Sequence, residues 1–284
     1  MRHFPKDTTK RNAPVLTFVA GGPSASGPGY TSERNWLLAA LSEAEYDRLA
    51  PGLETVTLAA EQRLGPLHED IPFVYFPQSG VVSMLKTMRD GTRVEVGTVG
   101  SEGMTGLAVF LGGDRMPTEC TVQIAGTANR IHPDALQEMS AEGMPLRTIL
   151  LCYTQYLFDQ VGQSVACSTL HTLEQRFARW MLMTRDRVGT DAFLMTHEHL
   201  ATLLGVRRAG VSEAAESLRE AGGIEYSRGT IRIADIAKVE AMACECYRAT
   251  RDDFDRLLGG VGRRFVLGAA GSTSRMESGR PVRA

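Results

Sequence analysis

Residues 197–214 constrain the fold of this chain more tightly than any other stretch. Thr196 stands where an N-cap belongs, its hydroxyl placed to accept from a free backbone N–H in the first turn. Leu200, Leu203 and Leu204 give the helix that follows an apolar face, and Ala201 is small enough for a second helix to cross closely. Gly205 comes next and supplies the left-handed conformation that ends a helix and turns the chain sharply. Val206 plugs the corner. A second helix is expected from about Arg208 to Ala221, burying Val211, Ala214, Ala215 and Leu218. Alanine, then glycine four residues on, then valine six beyond, is the spacing a tight two-helix corner requires.

Downstream, residues 222–233 alternate apolar and polar side chains around Arg228-Gly229, the pattern of a β-hairpin. A corner, a second helix and then a hairpin make a winged helix-turn-helix, which reads DNA with the start of its second helix in the major groove. Arg207, Arg208 and Ser212 fall on that end. Arginine suits guanine because its planar fork meets O6 and N7 together. Thr196, His197, Arg228 and Thr230 are expected to touch phosphates.

A net charge of −2 gives such a reader no general attraction to nucleic acid, so its positive charge must be concentrated locally. Glu213, Glu216 and Glu220 on the second helix account for part of the balance. Glu213 falls where it can approach the groove, to accept from cytosine N4 or simply to lower affinity.

The remaining chain divides into further zones. Residues 1–33 and 259–284 are rich in Gly, Ser, Pro, Thr and basic side chains without periodicity, and are expected to be a disordered lead-in and tail. Residues 34–144 read as a β-roll after a short helix capped by Ser42. Strand signals lie at 73–80, 81–88 and beyond the Asp90-Gly91 turn, and a strand pair is expected around Ala125-Gly126. Residues 145–168 read as a long helix opening on Pro145. Leu146, Leu150, Tyr153, Leu157, Gln160, Ser164 and Cys167 recur on it at three- and four-residue steps. A dimer seam and an ordinary amphipathic face both fit that stripe, and the seam is favoured. Residues 169–258 hold a further helix and the winged module. The fold class is α+β: an N-terminal jelly-roll-like sensor, a long dimerisation helix and a C-terminal winged helix-turn-helix.

Five cysteines at irregular spacing argue for reduced thiols rather than a disulfide framework. No apolar run is long enough to span a bilayer or to act as a secretory leader, so a cytoplasmic location away from membranes is expected. Cys244-Glu-Cys246 lacks evident partners and is read as a pair of ordinary thiols, so no metal site is assigned.

At residues 195–233, MTHEHLATLLGVRRAGVSEAAESLREAGGIEYSRGTIRI, the chain resembles the Crp/Fnr family of bacterial transcription regulators. The order of parts from about Trp36 to Tyr247 resembles the family as well. The resemblance implies a homodimer on a palindromic DNA operator with half-sites about one helical turn apart, acting with RNA polymerase. It also implies a roll whose ligand state sets the geometry of the reading helices. Members that bind cyclic AMP carry a Gly-Glu pair for the ribose and an Arg-Ser or Arg-Thr pair for the phosphate. Here Gly106 stands at the glutamate's position and Thr118, beside Glu119, at the arginine's. Arg115 compensates only if its loop is shifted. Cyclic AMP in the usual pose is therefore not expected, and no cofactor is assigned. An unidentified effector would meet Met104, Gly106, Leu107, Thr118, Glu119, Cys120, Gln160 and Ser164. The iron–sulfur members' N-terminal cysteine cluster is absent, the first cysteine being Cys120.

Enzymatic readings find little footing. His197-Glu-His199 lacks the second histidine of a metalloprotease helix, since Ala201 stands there. Gly97, Gly100, Gly103 and Gly106 follow no nucleotide-loop order. The expected function is effector-gated operator binding. The alternatives are a small-molecule sensor or scaffold whose winged helix meets protein, and a constitutive DNA binder with a vestigial sensor.

Overall fold

The structure is a computed structural model, and it describes residues 35–258 apart from 66, 117 and 228. The expected lead-in and tail, and Arg228 in the wing, lie outside the described residues.

Helix α1 (Trp36–Ala39) is capped by the buried Asn35, whose amide also donates to the carbonyls of Pro77 and Gly103. Helix α2 (Glu43–Leu49) starts, as expected, at Ser42, which forms a reciprocal capping box with Glu45. Strands β1 (Glu54–Leu58), β2 (Val74–Pro77), β3 (Val81–Thr87) and β4 (Arg93–Val99) follow. After a one-turn helix, α3 (Leu107–Phe110), come β5 (Glu119–Ile124) and β6 (Gly126–Ile131). They form two three-stranded antiparallel sheets, ordered β1-β6-β2 and β4-β3-β5. Leu58, Phe76, Val82, Val122, Ala128 and Ile131 share the roll's apolar core.

The strand pair expected around Ala125-Gly126 does not form. Strand β5 pairs with β3 and β6 with β1 and β2, so the chain changes sheets at Ala125. Two glycines make the crossing possible. A Cβ on Gly126 would stand 2.3 Å from the Ser79 carbonyl oxygen, and one on Gly80, at φ +82°, 2.5 Å from that of Ile124. The backbones pass too closely for any side chain between them.

Helix α4 (Pro133–Met139) leads to α5 (Pro145–Leu170), and Pro lies in the first turn of both. The stripe expected as a dimer seam is buried within this chain instead: Leu146, Leu150, Tyr153, Leu157, Gln160 and Cys167 all face inward. The roll supplies the apolar partner of Leu146, Leu150, Tyr153 and Leu157, Cys167 packs with Cys244 and Cys246, and Tyr153 Oη donates to the Met104 carbonyl at 2.9 Å. The outward face carries Leu151, Phe158 and Val165, which are 50%, 78% and 63% exposed and lie seven residues apart.

Helix α6 (Leu173–Val188) opens on a second capping box, Thr172 with Gln175, and stops at the left-handed Gly189. Strand β7 (Ala192–Leu194), helices α7 (His197–Leu204) and α8 (Arg208–Glu220), and strands β8 (Ile224–Ser227) and β9 (Thr230–Ile233) complete the winged module, with sheet order β7-β9-β8. Phe177, Met181, Leu200, Val211, Leu218 and Ile231 fill its core. Helices α9 (Ile236–Met242) and α10 (Cys246–Leu257) follow. Helix α10, inside the expected winged unit of 169–258, runs back along α5. Phe254 packs between Tyr156 and Trp36, with ring centroids 5.4 and 5.3 Å away, and Leu258 joins the roll's core.

Candidate nucleic-acid interface

The corner forms at the residues that predict it. The Thr196 hydroxyl accepts from the His199 N–H at 3.2 Å, and Gly205 closes α7 in the left-handed conformation, at φ +65°. Ala201 is 6% exposed where α8 crosses, and Val211, Ala214, Ala215 and Leu218 are buried on the facing side. Arg207 is the N-cap residue of α8 and makes no side-chain cap. It and Arg208 are exposed, so two guanidinium groups flank the positive end of a helix whose first-turn N–H groups are open to an anion. Of the acidic neighbours, Glu216 is held by Arg219 and its carboxyl sits below the usual range for that reason, while Glu213 stays exposed.

The remaining expected contacts separate into two kinds. Thr196 is exposed and Thr230 half-buried at the start of the returning wing strand. His197 and Ser212 are engaged with each other: Nδ1 and Oγ lie 2.9 Å apart, and the imidazole stacks on Tyr226 at 4.5 Å. The Nε2 atom is buried without a hydrogen-bond partner, so the ring faces inward rather than toward a phosphate. Burial, with help from the Arg208 charge, holds His197 below the ordinary imidazole pKa. His197 thus ties α8 to the wing. Its i, i+15 pairing with Ser212 has no sequence-local signal.

The eight residues expected at an effector pocket lie in the roll and on α5. Met104 and Cys120 are in the roll's core, and Gly106 and Leu107 start α3 beside Ile71 and Val74. The buried Glu119 carboxylate meets Arg63 and Arg93, each at 3.4 Å, and accepts from Thr121. Thr118 is buried next to it. Arg115 lies outside with Asp70 and Asp114, so its loop is not shifted to replace the missing cation. Gln160 accepts from the Thr98 N–H on β4 and donates to Tyr156 Oη, and Ser164 donates to the Gln160 carbonyl.

Ser164 does line a cleft, where the roll and α5 meet the winged module. Glu95, Gly97, Arg176, Arg179, Trp180 and Arg187 also line it. Its free volume is about 50 Å³, whereas a small-molecule site usually spans roughly 300–1,000 Å³. Beside it Arg187, on α6, reaches Glu102, on the roll, at 2.7 and 2.8 Å, and both side chains are almost wholly buried. Glu95 on β4 accepts from Ser83. Enclosure of its carboxyl pushes its pKa up to about 7, against the hydrogen bond and the charges of Arg187 and Arg179.

Cys244 and Cys246 have the partners that the sequence hides. With Cys167 and His171 they place four potential ligand atoms within 4.8 Å of one another. Chain geometry supplies these neighbours: the last turn of α5 lies beside the α9–α10 connection.

Residues 175–242 match the Crp-like helix-turn-helix domain family. No curated protein sequence matches the chain. Similar solved structures include FixK2 of Bradyrhizobium japonicum, 15% identical with a TM-score of 0.59, covering 68% of this chain and 98% of that one. A putative Crp/Fnr transcriptional regulator of Eubacterium rectale is 18% identical, TM-score 0.57, covering 74% and 99%. The c-di-GMP responsive global regulator CLP of Xanthomonas campestris is 13% identical, TM-score 0.57, covering 68% and 100%. No helix among the described residues is long and apolar enough to cross a membrane. Residues 175–242 are therefore a Crp-like helix-turn-helix domain, carried on a chain that has the fold of the Crp/Fnr regulators.

Proposed function

We propose that this protein is a transcription regulator that binds a palindromic DNA operator as a homodimer. The observation that carries the proposal is the exposed Arg207–Arg208 pair at the open N-terminus of α8, followed directly by a wing. Arg208 reads a base, Arg207 reads a base or a phosphate, and Thr196, Arg228 and Thr230 bear on the backbone. His197 and Ser212 position the reading helix. The exposed ridge Leu151, Phe158 and Val165 on α5 supplies the dimer seam, and Gly162 between the last two leaves room for a close partner. Domain limits follow the expected ones, except that α10 belongs with α5 and the roll.

The roll's role is to set the position of the winged module through the Arg187–Glu102 contact, and RNA polymerase is the partner at the promoter. Cyclic AMP in the usual pose is disfavoured by Glu119, whose carboxylate already holds the local arginines. On this reading the chain is a regulator rather than an enzyme, and it works in the cytoplasm.

Capture of genomic DNA by the purified chain, at stated salt, tests the proposal. A palindrome with half-sites about one turn apart is expected. In Arg208→Ala, discrimination at one base pair per half-site drops by about 1–3 kcal/mol. Absence of binding even at low salt would favour protein contact by the wing.

A further inference from the structure

We propose that Cys167, His171, Cys244 and Cys246 form a closed tetrahedral site for one divalent metal ion of the zinc type. Cys167 and His171 are one turn apart at the end of α5, Cys244 precedes α10, and Cys246 is its first residue. The three sulfurs are buried and free of disulfides, and the imidazole is 14% exposed. The Cys167 and Cys244 sulfurs stand 3.5 Å apart, as do the Cys246 sulfur and His171 Nδ1. Around one tetrahedral zinc, with Zn–S about 2.3 Å and Zn–N about 2.0 Å, sulfur–sulfur edges come to about 3.8 Å and sulfur–nitrogen edges to about 3.6 Å. Two of the six edges match a single coordination sphere, and all lie within 4.8 Å, close enough for small side-chain shifts to close the rest. A disulfide would need one sulfur pair at about 2.05 Å and would leave the histidine and third thiol without a role.

The surroundings support the same reading independently. His171 Nε2 faces Glu245 Oε2 at 3.2 Å, so a proton held there leaves the Nδ1 lone pair aimed at the thiols. That is the outer hydrogen bond that orients a ligating imidazole. Gln163 donates to the Cys246 sulfur at 2.9 Å, and Arg176 and Arg179 place positive charge near the Cys167 sulfur. Three thiolates and a neutral imidazole around a divalent ion leave one net negative charge, which those groups offset. Four protein ligands leave no open position, which marks a structural site rather than a catalytic one. Its effect is to staple the end of α5 to the α9–α10 connection, across the His171–Thr172 junction where α5 gives way to α6.

The reduced full-length chain, titrated with Co²⁺ without oxygen, tests the site with no reference to DNA. Saturation at one ion per chain is expected, with the intense d–d bands of tetrahedral cobalt and thiolate-to-cobalt charge transfer, both bleached by added Zn²⁺. Cys246→Ser and His171→Ala should lose that spectrum. Glu245→Ala should weaken binding about 10- to 100-fold, and Cys152→Ser, away from the cluster, should leave it unchanged. Because the primary signal comes from the unaltered chain, it does not depend on how the variants fold. A weak octahedral spectrum from the unaltered chain, or full tetrahedral binding by the Cys167→Ser/Cys244→Ser double variant, would overturn the proposal.

Discussion

Glu95 shows how a single enclosed carboxyl can make stability depend on pH. Its folded pKa, about 7, lies above the ordinary 4.5, so the folded chain holds a proton that the unfolded chain has released. The stabilisation is complete below 4.5 and is lost as pH rises through 7. Glu95→Gln keeps an oxygen for the Ser83 hydroxyl and removes the ionisation. Its melting temperature relative to the unaltered chain should rise from pH 6 to pH 8, by the equivalent of about 1 kcal/mol, in paired calorimetric scans. An unchanged difference would place the carboxylate in contact with water. The exposed arginines at the start of α8 behave differently. Arg208 is exposed and contributes little to stability, so Arg208→Ala should melt within about 0.5 kcal/mol of the unaltered protein while its base preference relaxes. Arg208 was legible because the corner's spacing puts it at an exposed helix start. The inward turn of His197 was not, since its partners Ser212 and Tyr226 come from α8 and β8, 15 and more positions along the chain.

Among the elements, α5 is the least legible from sequence and the most consequential. Apolar side chains occupy two of its faces. Leu146, Leu150, Tyr153 and Leu157 are buried against the roll, and Leu151, Phe158 and Val165 point outward. A helix that is apolar on two sides shows no single stripe, so periodicity alone picks the longer inner one. The outer ridge should carry dimerisation. Phe158→Glu is expected to give a monomer by sedimentation velocity at micromolar concentration, with operator affinity falling at least tenfold. A persistent dimer would move the seam elsewhere. The winged module was readable because its signals are local: an N-cap, an alanine, a glycine and a hairpin in one run. The roll's strands were readable for the same reason, but their pairing was not. Ala125-Gly126 carries a hairpin's composition, whereas the pairing it serves joins β6 to strands much earlier in the chain. The metal cluster was hidden similarly, with Cys167 and Cys244 separated by 77 positions.

At the scale of the whole molecule, two devices join the winged module to the rest. One is the proposed metal staple. Zinc at a hundred times its dissociation constant would add about 2.7 kcal/mol to folding, so a strong chelator should lower the melting temperature of the intact chain and added zinc restore it. The other is the buried Arg187–Glu102 pair. Glu102→Gln leaves the guanidinium enclosed without its counter-charge and should cost about 3–5 kcal/mol in denaturant titration, whereas an apolar pair of similar size at both positions should be close to neutral. That pair also bears on time. Turning α6 away from the roll would mean separating two buried charges before water could reach either, and that separation would set a barrier. A switch built on that contact would have inertia. The molecule would answer a signal after a lag set by that barrier rather than by ligand arrival, and a pulse shorter than the lag would pass unread.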